Sequence, residues 1–130
     1  MIEAARENDA LTEKVIGLAI EVHRHLGPGL LEGAYEECLC HELKQTGIVF
    51  KRQVAVPVVY KSVPLGYKYR LDLVIENQLI VEAKSVERLM PVHEAQVITY
   101  LRITGIPIGL LLNFNTDVLK NGIRRLVLKS

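Results

Sequence analysis

The stretch PIGLLLNF, residues 107 to 114, has no room for a solvated face. Side chains of a strand alternate sides with a period of two, and here both sides are apolar, so a strand in this place must be central in its sheet and covered on both faces. The rest of the chain reads as cover and neighbours for that strand. Asn8 or Asp9 can cap a helix whose Leu11, Val15, Leu18, Ala19 and Val22 form one stripe, and LGPGL ends it because Gly27, Pro28 and Gly29 cannot sustain a helix. A second helix starts near Leu30 or Leu31 and stops around Gly47. The period then becomes strand-like: VFKRQVAVPVVY, a turn in KSVPLG, then YKYRLDLVI and LIVEAKSV. Pro57 places the first of these at a sheet edge or at a bulge. Pro91 suits the first turn of a third helix that runs to Gly105, and after the central strand an Asn121-Gly122 turn leads into a last strand around IRRLVLK.

The expected fold is therefore a single α/β domain over residues 1–130, with a mixed central sheet flanked by helices in the order α-α-β-β-β-α-β-β and without linker or repeat. Hydrophobic residues at 49% and charged residues at 24% agree with a packed core rather than a disordered chain. A formal net charge of +1 excludes a field spread over the whole molecule as the basis of nucleic-acid binding, so any such binding has to be local. No apolar run approaches the roughly 20 residues that span a bilayer, and the polar N-terminus carries no signal pattern. The expected location is the cytoplasm, with no membrane partner. Cys38, Cys40 and His41 suggest a zinc site at first sight, but residues two apart on a helix diverge and no second cysteine pair completes a tetrahedron. Reduced thiols packed on a half-buried helix are the better account.

The residues that resist a purely structural account lie in RLDLVIENQLIVEAKS, residues 70 to 85. By alternation Arg70, Asp72 and Val74 share one face, Ile80, Glu82 and Lys84 share one face of the next strand, and Val81 and Ala83 take the other side. Asp72 shares the face of Glu82 and Lys84 only if the loop between the strands has odd length: three residues, Glu76, Asn77 and Gln78, pair Ile75 with Leu79 and bring Asp72 opposite Glu82, with Asn77 as the left-handed residue such loops need, whereas a two-residue loop sends Asp72 to the other face. Facing carboxylates repel. Lys84 can relieve this in part, and a hard divalent cation such as Mg²⁺, which takes oxygen ligands and only one or two carboxylates from a protein, relieves it better. The same spacing also fits a partly exposed salt bridge of Asp72 or Glu82 with Lys84 or Arg70.

An aspartate followed on the adjacent strand by Glu-x-Lys, here Asp72 with Glu82-Ala83-Lys84, resembles the signature of the PD-(D/E)XK, restriction-endonuclease-like nucleases. The element order is similar to that superfamily's core of helix, three strands, helix and strand. Gly29-Leu30-Leu31-Glu32-Gly33-Ala34-Tyr35 reproduces Gly-x-x-Glu-x-x-Tyr, the motif of the GxxExxY family of small bacterial and archaeal proteins within that superfamily. The proline that opens the signature is missing, since Leu71 precedes Asp72. The resemblance implies hydrolysis of phosphodiester bonds in DNA or RNA. Asp72 and Glu82 would hold Mg²⁺, for which Mn²⁺ can substitute, with the Ala83 carbonyl as a neutral ligand. Lys84 would orient the attacking water. Glu32 would be a further ligand or supporting acid, and Tyr35, one turn on, would face the sheet with it as a substrate contact. Taken alone, Glu32 is also a residue that favours a helix N-terminus. On the third helix His93, Gln96 and Tyr100 share a polar stripe, and Gln96-x-x-x-Tyr100 resembles an element found after Glu-x-Lys in several nuclease branches; these three would touch phosphate or base.

The substrate is not specified further. Basic residues gather modestly at Lys51-Arg52, Lys61, Lys68-Arg70 and Arg124-Arg125, and two Phe, five Tyr and no Trp leave few stacking platforms. Two other classes fit the same residues: a non-catalytic interaction module, with a homodimer as its natural form, and a hydrolase of small nucleotides with a closed pocket.

Overall fold

The computed structural model describes residues 9–128. Helix α1 (Asp9–Leu26) and helix α2 (Glu32–Gln45) are followed by β1 (Phe50–Tyr60), β2 (Val63–Ile75), β3 (Leu79–Lys84), α3 (Pro91–Thr104), β4 (Ile108–Asn113), a short 3-10 turn (Leu119–Gly122) and β5 (Ile123–Val127). Element order and class are those read from the sequence; Asn8, one of the two candidate caps, lies outside the described residues. The sheet runs β1-β2-β3-β4-β5, parallel between β3 and β4 and antiparallel elsewhere. A parallel pair needs a long crossover, and α3 supplies it.

All six residues of β4 are buried, as the opening stretch requires, and so are five of the six in β3. On one face of the sheet α1 and α2 pack Val15, Ala19, Val22, Tyr35, Leu39 and Leu43 against Leu73, Val81, Leu110 and Phe114. On the other, Val97, Tyr100 and Leu101 of α3 meet Leu71, Val74, Ile80 and Leu111. Gly109 sits in the apolar run because a Cβ there would meet the Val97 side chain at 2.5 Å; its absence lets α3 lie against the strand. Buried Cys40 belongs to the first cluster and half-buried Cys38 packs beside it, both free thiols.

The GxxExxY segment is held by its tyrosine. Tyr35 is fully buried and stacked on Phe114 with centroids 4.4 Å apart; its hydroxyl donates to the Gly27 carbonyl and accepts the Leu30 N–H at 3.1 Å. Ring and hydroxyl are both committed to closing the α1–α2 turn. Gly47, left-handed at φ 74°, ends α2, with Ile48 N–H donating to the Leu43 carbonyl as in a Schellman motif.

The first hairpin differs from the sequence reading. Its turn is only Lys61-Ser62, both left-handed, and β2 begins at Val63 rather than Tyr67. A two-residue turn of that type matches the twist of the flanking strands, and Pro57 and Pro64 are tolerated because the ribbon has no further neighbour there. Pro57 combines both expectations, lying on the edge strand and beside a register shift.

Candidate active site at the fork between β2 and β3

Strands β2 and β3 pair through Ile75 with Leu79, Val74 with Ile80 and Leu73 with Val81, the register that a loop at residues 76 to 78 dictates. Glu76 as well as Asn77 is left-handed in that loop, so two strained residues replace the single one expected; the Glu76 N–H donates to the Val49 carbonyl and its carboxylate accepts the Val49 N–H, which holds it there. Beyond Leu73 and Val81 the ladder stops. In its place the Asp72 N–H donates to Glu82 Oε2 at 2.7 Å, and the Ala83 N–H donates to Asp72 Oδ2 at 2.9 Å. Each carboxylate thus takes the place of a backbone acceptor from the opposite strand, and the strands fork around the pair.

The fork also interrupts the alternation. Leu73 and Ile75 join the core under α1 and α2, whereas Leu71 and Tyr69 join the core under α3. Strict period two, which would keep Arg70, Asp72 and Val74 on one face, therefore does not run through Asp72. Gln53, whose backbone is left-handed at φ 54°, lies between the pairs Arg52–Leu73 and Val54–Leu71 and is the neighbour of Asp72 on β1. Non-glycine residues adopt that conformation at a cost, and such strain gathers at functional sites.

The electrostatics follow from burial. Glu82 is 3% exposed; burial first, and the Asp72 charge second, push its pKa up to about 8 against the partial relief given by the Asp72 N–H and Lys84. Burial likewise raises Asp72, with the Ala83 N–H and Lys84 opposing and Glu36 and Glu32 adding to the rise. The salt bridges among the described residues involve Glu21, Glu36, Glu37 and Glu94, and neither Asp72 nor Glu82. The salt-bridge account of this pair is thus not what the fold builds; Lys84, half-buried, acts on both carboxylates through its field.

Around the pair the sequence-predicted residues separate. Glu32 is exposed, its Oε2 accepting the Ser85 N–H at 3.3 Å while Ser85 Oγ donates to the Leu30 carbonyl; this ties the start of α2 to the exit of β3. The buried acid of that helix is Glu36, one turn on, bound by Arg52 and by Gln53 Nε2 at 2.8 and 3.0 Å. Gln53 Nε2 also reaches Asp72 Oδ1 at 3.5 Å. Tyr100 is buried, edge-on to Tyr69 at 5.8 Å, and its pKa is pushed up to about 12 by burial and then by Glu82 and Asp72. Gln96 is exposed on α3. His93 caps that helix, its Nδ1 accepting the Met90 N–H at 2.8 Å, so Nε2 carries whatever proton the neutral ring can donate.

Reading the sequence did not single out Gln53 or Asn113. Buried Asn113 accepts the Val86 N–H at 3.1 Å and donates to the Val86 carbonyl at 3.0 Å, which holds the chain leaving Lys84. The polarity of Asn113 inside an apolar strand is a signal, but one that acquires meaning only when the pairing is known; Gln53, which follows Lys51 and Arg52, carries no such signal.

Among the described residues no group of three or more His, Cys, Asp and Glu side chains is arranged to hold a metal ion. The donor chemistry of the pair nevertheless fits one: two desolvated carboxylates without a paired cation are hard oxygen ligands in the number that Mg²⁺ takes from a protein. Comparison with known proteins agrees with the geometry. The model of the PD-(D/E)XK nuclease superfamily matches residues 9–126. No curated protein and no solved structure gives a match. With the family model covering nearly the whole chain and the Asp72, Glu82 and Lys84 signature placed at one fork of the expected mixed sheet, the chain belongs to the PD-(D/E)XK nuclease superfamily.

Proposed function

We propose that the chain is a divalent-metal-dependent nuclease, of the GxxExxY branch, that hydrolyses phosphodiester bonds of DNA or RNA at the fork between β2 and β3. The observation that carries this reading is the pair Asp72 and Glu82, joined through each other's strand at 2.7 and 2.9 Å, Glu82 buried and Asp72 half-buried, and without a salt bridge. Burying two carboxylates side by side is costly, and a bound cation is the group that would offset the cost. Asp72 and Glu82, with the Ala83 carbonyl, would hold Mg²⁺ or Mn²⁺; when bound, the ion would polarise the phosphate and offset charge on the leaving oxygen. Lys84 would donate through Nζ to the attacking water and balance the negative charge that grows on the phosphoryl oxygens. Glu36 would hold Arg52 and Gln53 beside Asp72, and Glu32 would keep the β3 exit in place as a supporting acid. On α3, exposed Gln96 and the free Nε2 of His93 would contact phosphate, while Tyr100, being buried, would act on the carboxylates rather than on a base.

Calorimetric titration with Mn²⁺ and Mg²⁺ at pH 8, beside Asp72→Asn and Glu82→Gln, tests this without a known substrate. Binding in the parent that disappears in both variants supports the site, and a cleavage screen over single-stranded, duplex and branched substrates then follows. Cleavage that persists in both variants, or absence of metal binding with and without nucleic acid, refutes it.

A further inference from the structure

The carboxylate site does not absorb the outer half of the β1–β2 hairpin. β2 meets β3 only at Leu73, Val74 and Ile75, and the inner ribbon leans on α3 through Val54, Val56 and Tyr69. From there to the Lys61-Ser62 turn, a reach of roughly 20 Å at the rise of a strand, β1 and β2 have, among the described residues, only each other as strand neighbours. A two-stranded ribbon is marginal by itself, yet this one exposes Val59, Val63, Leu65, Tyr60 at 60% and Tyr67 at 74%.

Its charge indicates what meets it. From Phe50 to Leu71 the chain carries Lys51, Arg52, Lys61, Lys68 and Arg70 and no acidic residue, a charge of +5; against +1 for the whole chain, the remainder carries −4. Like charge disfavours a second copy of the arm as its partner, and a polyanion fits. The carboxylates of the fork, which Glu32 and Glu36 reinforce, repel a phosphodiester, so attraction has to come from elsewhere, and β2, which carries the arm, runs on into Asp72.

We propose that this arm is a guide for an unpaired nucleic-acid strand, stacking bases on Tyr60 and Tyr67 and holding phosphates with Lys61, Lys68 and Arg70, and that it leads the strand to the fork. Tyr67 and Tyr69 share a face of β2, about 7 Å apart by strand alternation. Tyr69 lies edge-on to Tyr100, whose hydroxyl feels Glu82 and Asp72, so aromatic rings run from the exposed arm to the carboxylates. Exposed rings stack on bases only where the bases are unpaired, and so few cations make a small footprint on a duplex. The grip stands on the arm alone; its use in delivery rests on the nuclease reading.

The test is fluorescence anisotropy of the full chain in EDTA with short labelled single-stranded DNA and RNA and their duplexes. Tyr67→Ala is expected to weaken single-strand binding by about fivefold to a hundredfold. Lys61→Gln with Lys68→Gln should flatten the salt dependence by about 0.7 per residue removed, whereas Lys120→Gln, on the 3-10 turn, should change little. Circular dichroism verifies that the variants fold. The proposal is overturned if Tyr67→Ala and the double lysine variant bind like the parent, if duplex binds as tightly as single strand, or if the chain is a dimer that Tyr67→Ala dissociates. Binding that depends on Tyr67 without cleavage under any metal would retain the arm and remove the nuclease reading; cleavage indifferent to Tyr67 would do the reverse.

Discussion

Replacing Glu82 with glutamine removes the charge that the fold accommodates worst. An unfolded glutamate ionises near 4.5, and in the folded chain Glu82 does so at about 8, through burial first and Asp72 second. Between these values the folded chain keeps a proton that the unfolded chain has lost. Stability therefore falls as pH rises through that window and levels off above it. The full gap corresponds to about 5 kcal/mol at ~1.4 kcal/mol per pH unit, and sharing of the proton with Asp72 brings the working figure to ~3 kcal/mol. Glutamine keeps an oxygen for the Asp72 N–H, which Glu82 accepts at 2.7 Å, and carries no charge. In EDTA, urea unfolding from pH 4 to pH 8.5 should show Glu82→Gln more stable than the parent by ~3 kcal/mol at the alkaline end and by less than ~0.5 kcal/mol at pH 4. Added Mg²⁺ should raise the parent at pH 8 and leave the variant unchanged. A variant no more stable than the parent at pH 8 would refute the claim that this carboxylate is held against an electrostatic cost.

Lys84→Met should lower cleavage by about a hundredfold or more while metal binding by calorimetry persists; full activity would remove Lys84 from the chemistry. Tyr35→Phe keeps the stack on Phe114 and loses the hydroxyl bonds to Gly27 and Leu30, so urea unfolding should register a loss of ~1–2 kcal/mol with cleavage per folded molecule unchanged. Lower activity at equal stability would return Tyr35 to the substrate. Gly122→Ala puts a Cβ onto the Asn113 carbonyl oxygen and should cost ~2–3 kcal/mol in the same assay, or prevent folding; a neutral effect would mean that this turn yields freely.

Local pattern carried most of the architecture. The run PIGLLLNF demanded burial on both faces and β4 has it; Gly47 and Gly105 ended helices where left-handed residues do; and the three-residue loop set the pairing of Ile75 with Leu79. Each depends on neighbours in sequence, on a period or on a backbone torsion, and is legible before any tertiary contact forms. The turn expected over residues 61 to 66 is too long because Lys61 and Ser62 are not the residues that usually accept left-handed torsions, while Pro64 and Gly66 imitate a turn.

The site divides along the same line. An odd-length loop is what lets Asp72 and Glu82 meet, and the pairing of Ile75 with Leu79 has it. How they meet did not: the end of the ladder, each carboxylate on the other strand's amide, and the change of core between Leu71 and Leu73 arise where β2 leaves β3. On α2 packing assigned the roles, sending Tyr35 into the α1–α2 turn, Glu36 to Arg52 and Gln53, and Glu32 to Ser85. By itself the sequence determined the order of elements, the register and the chemical identity of the carboxylate pair, because these rest on local periods and torsions. Only the tertiary structure decided burial, and with it the elevated pKa of Glu82, because desolvation is the sum of what distant segments place around a charge.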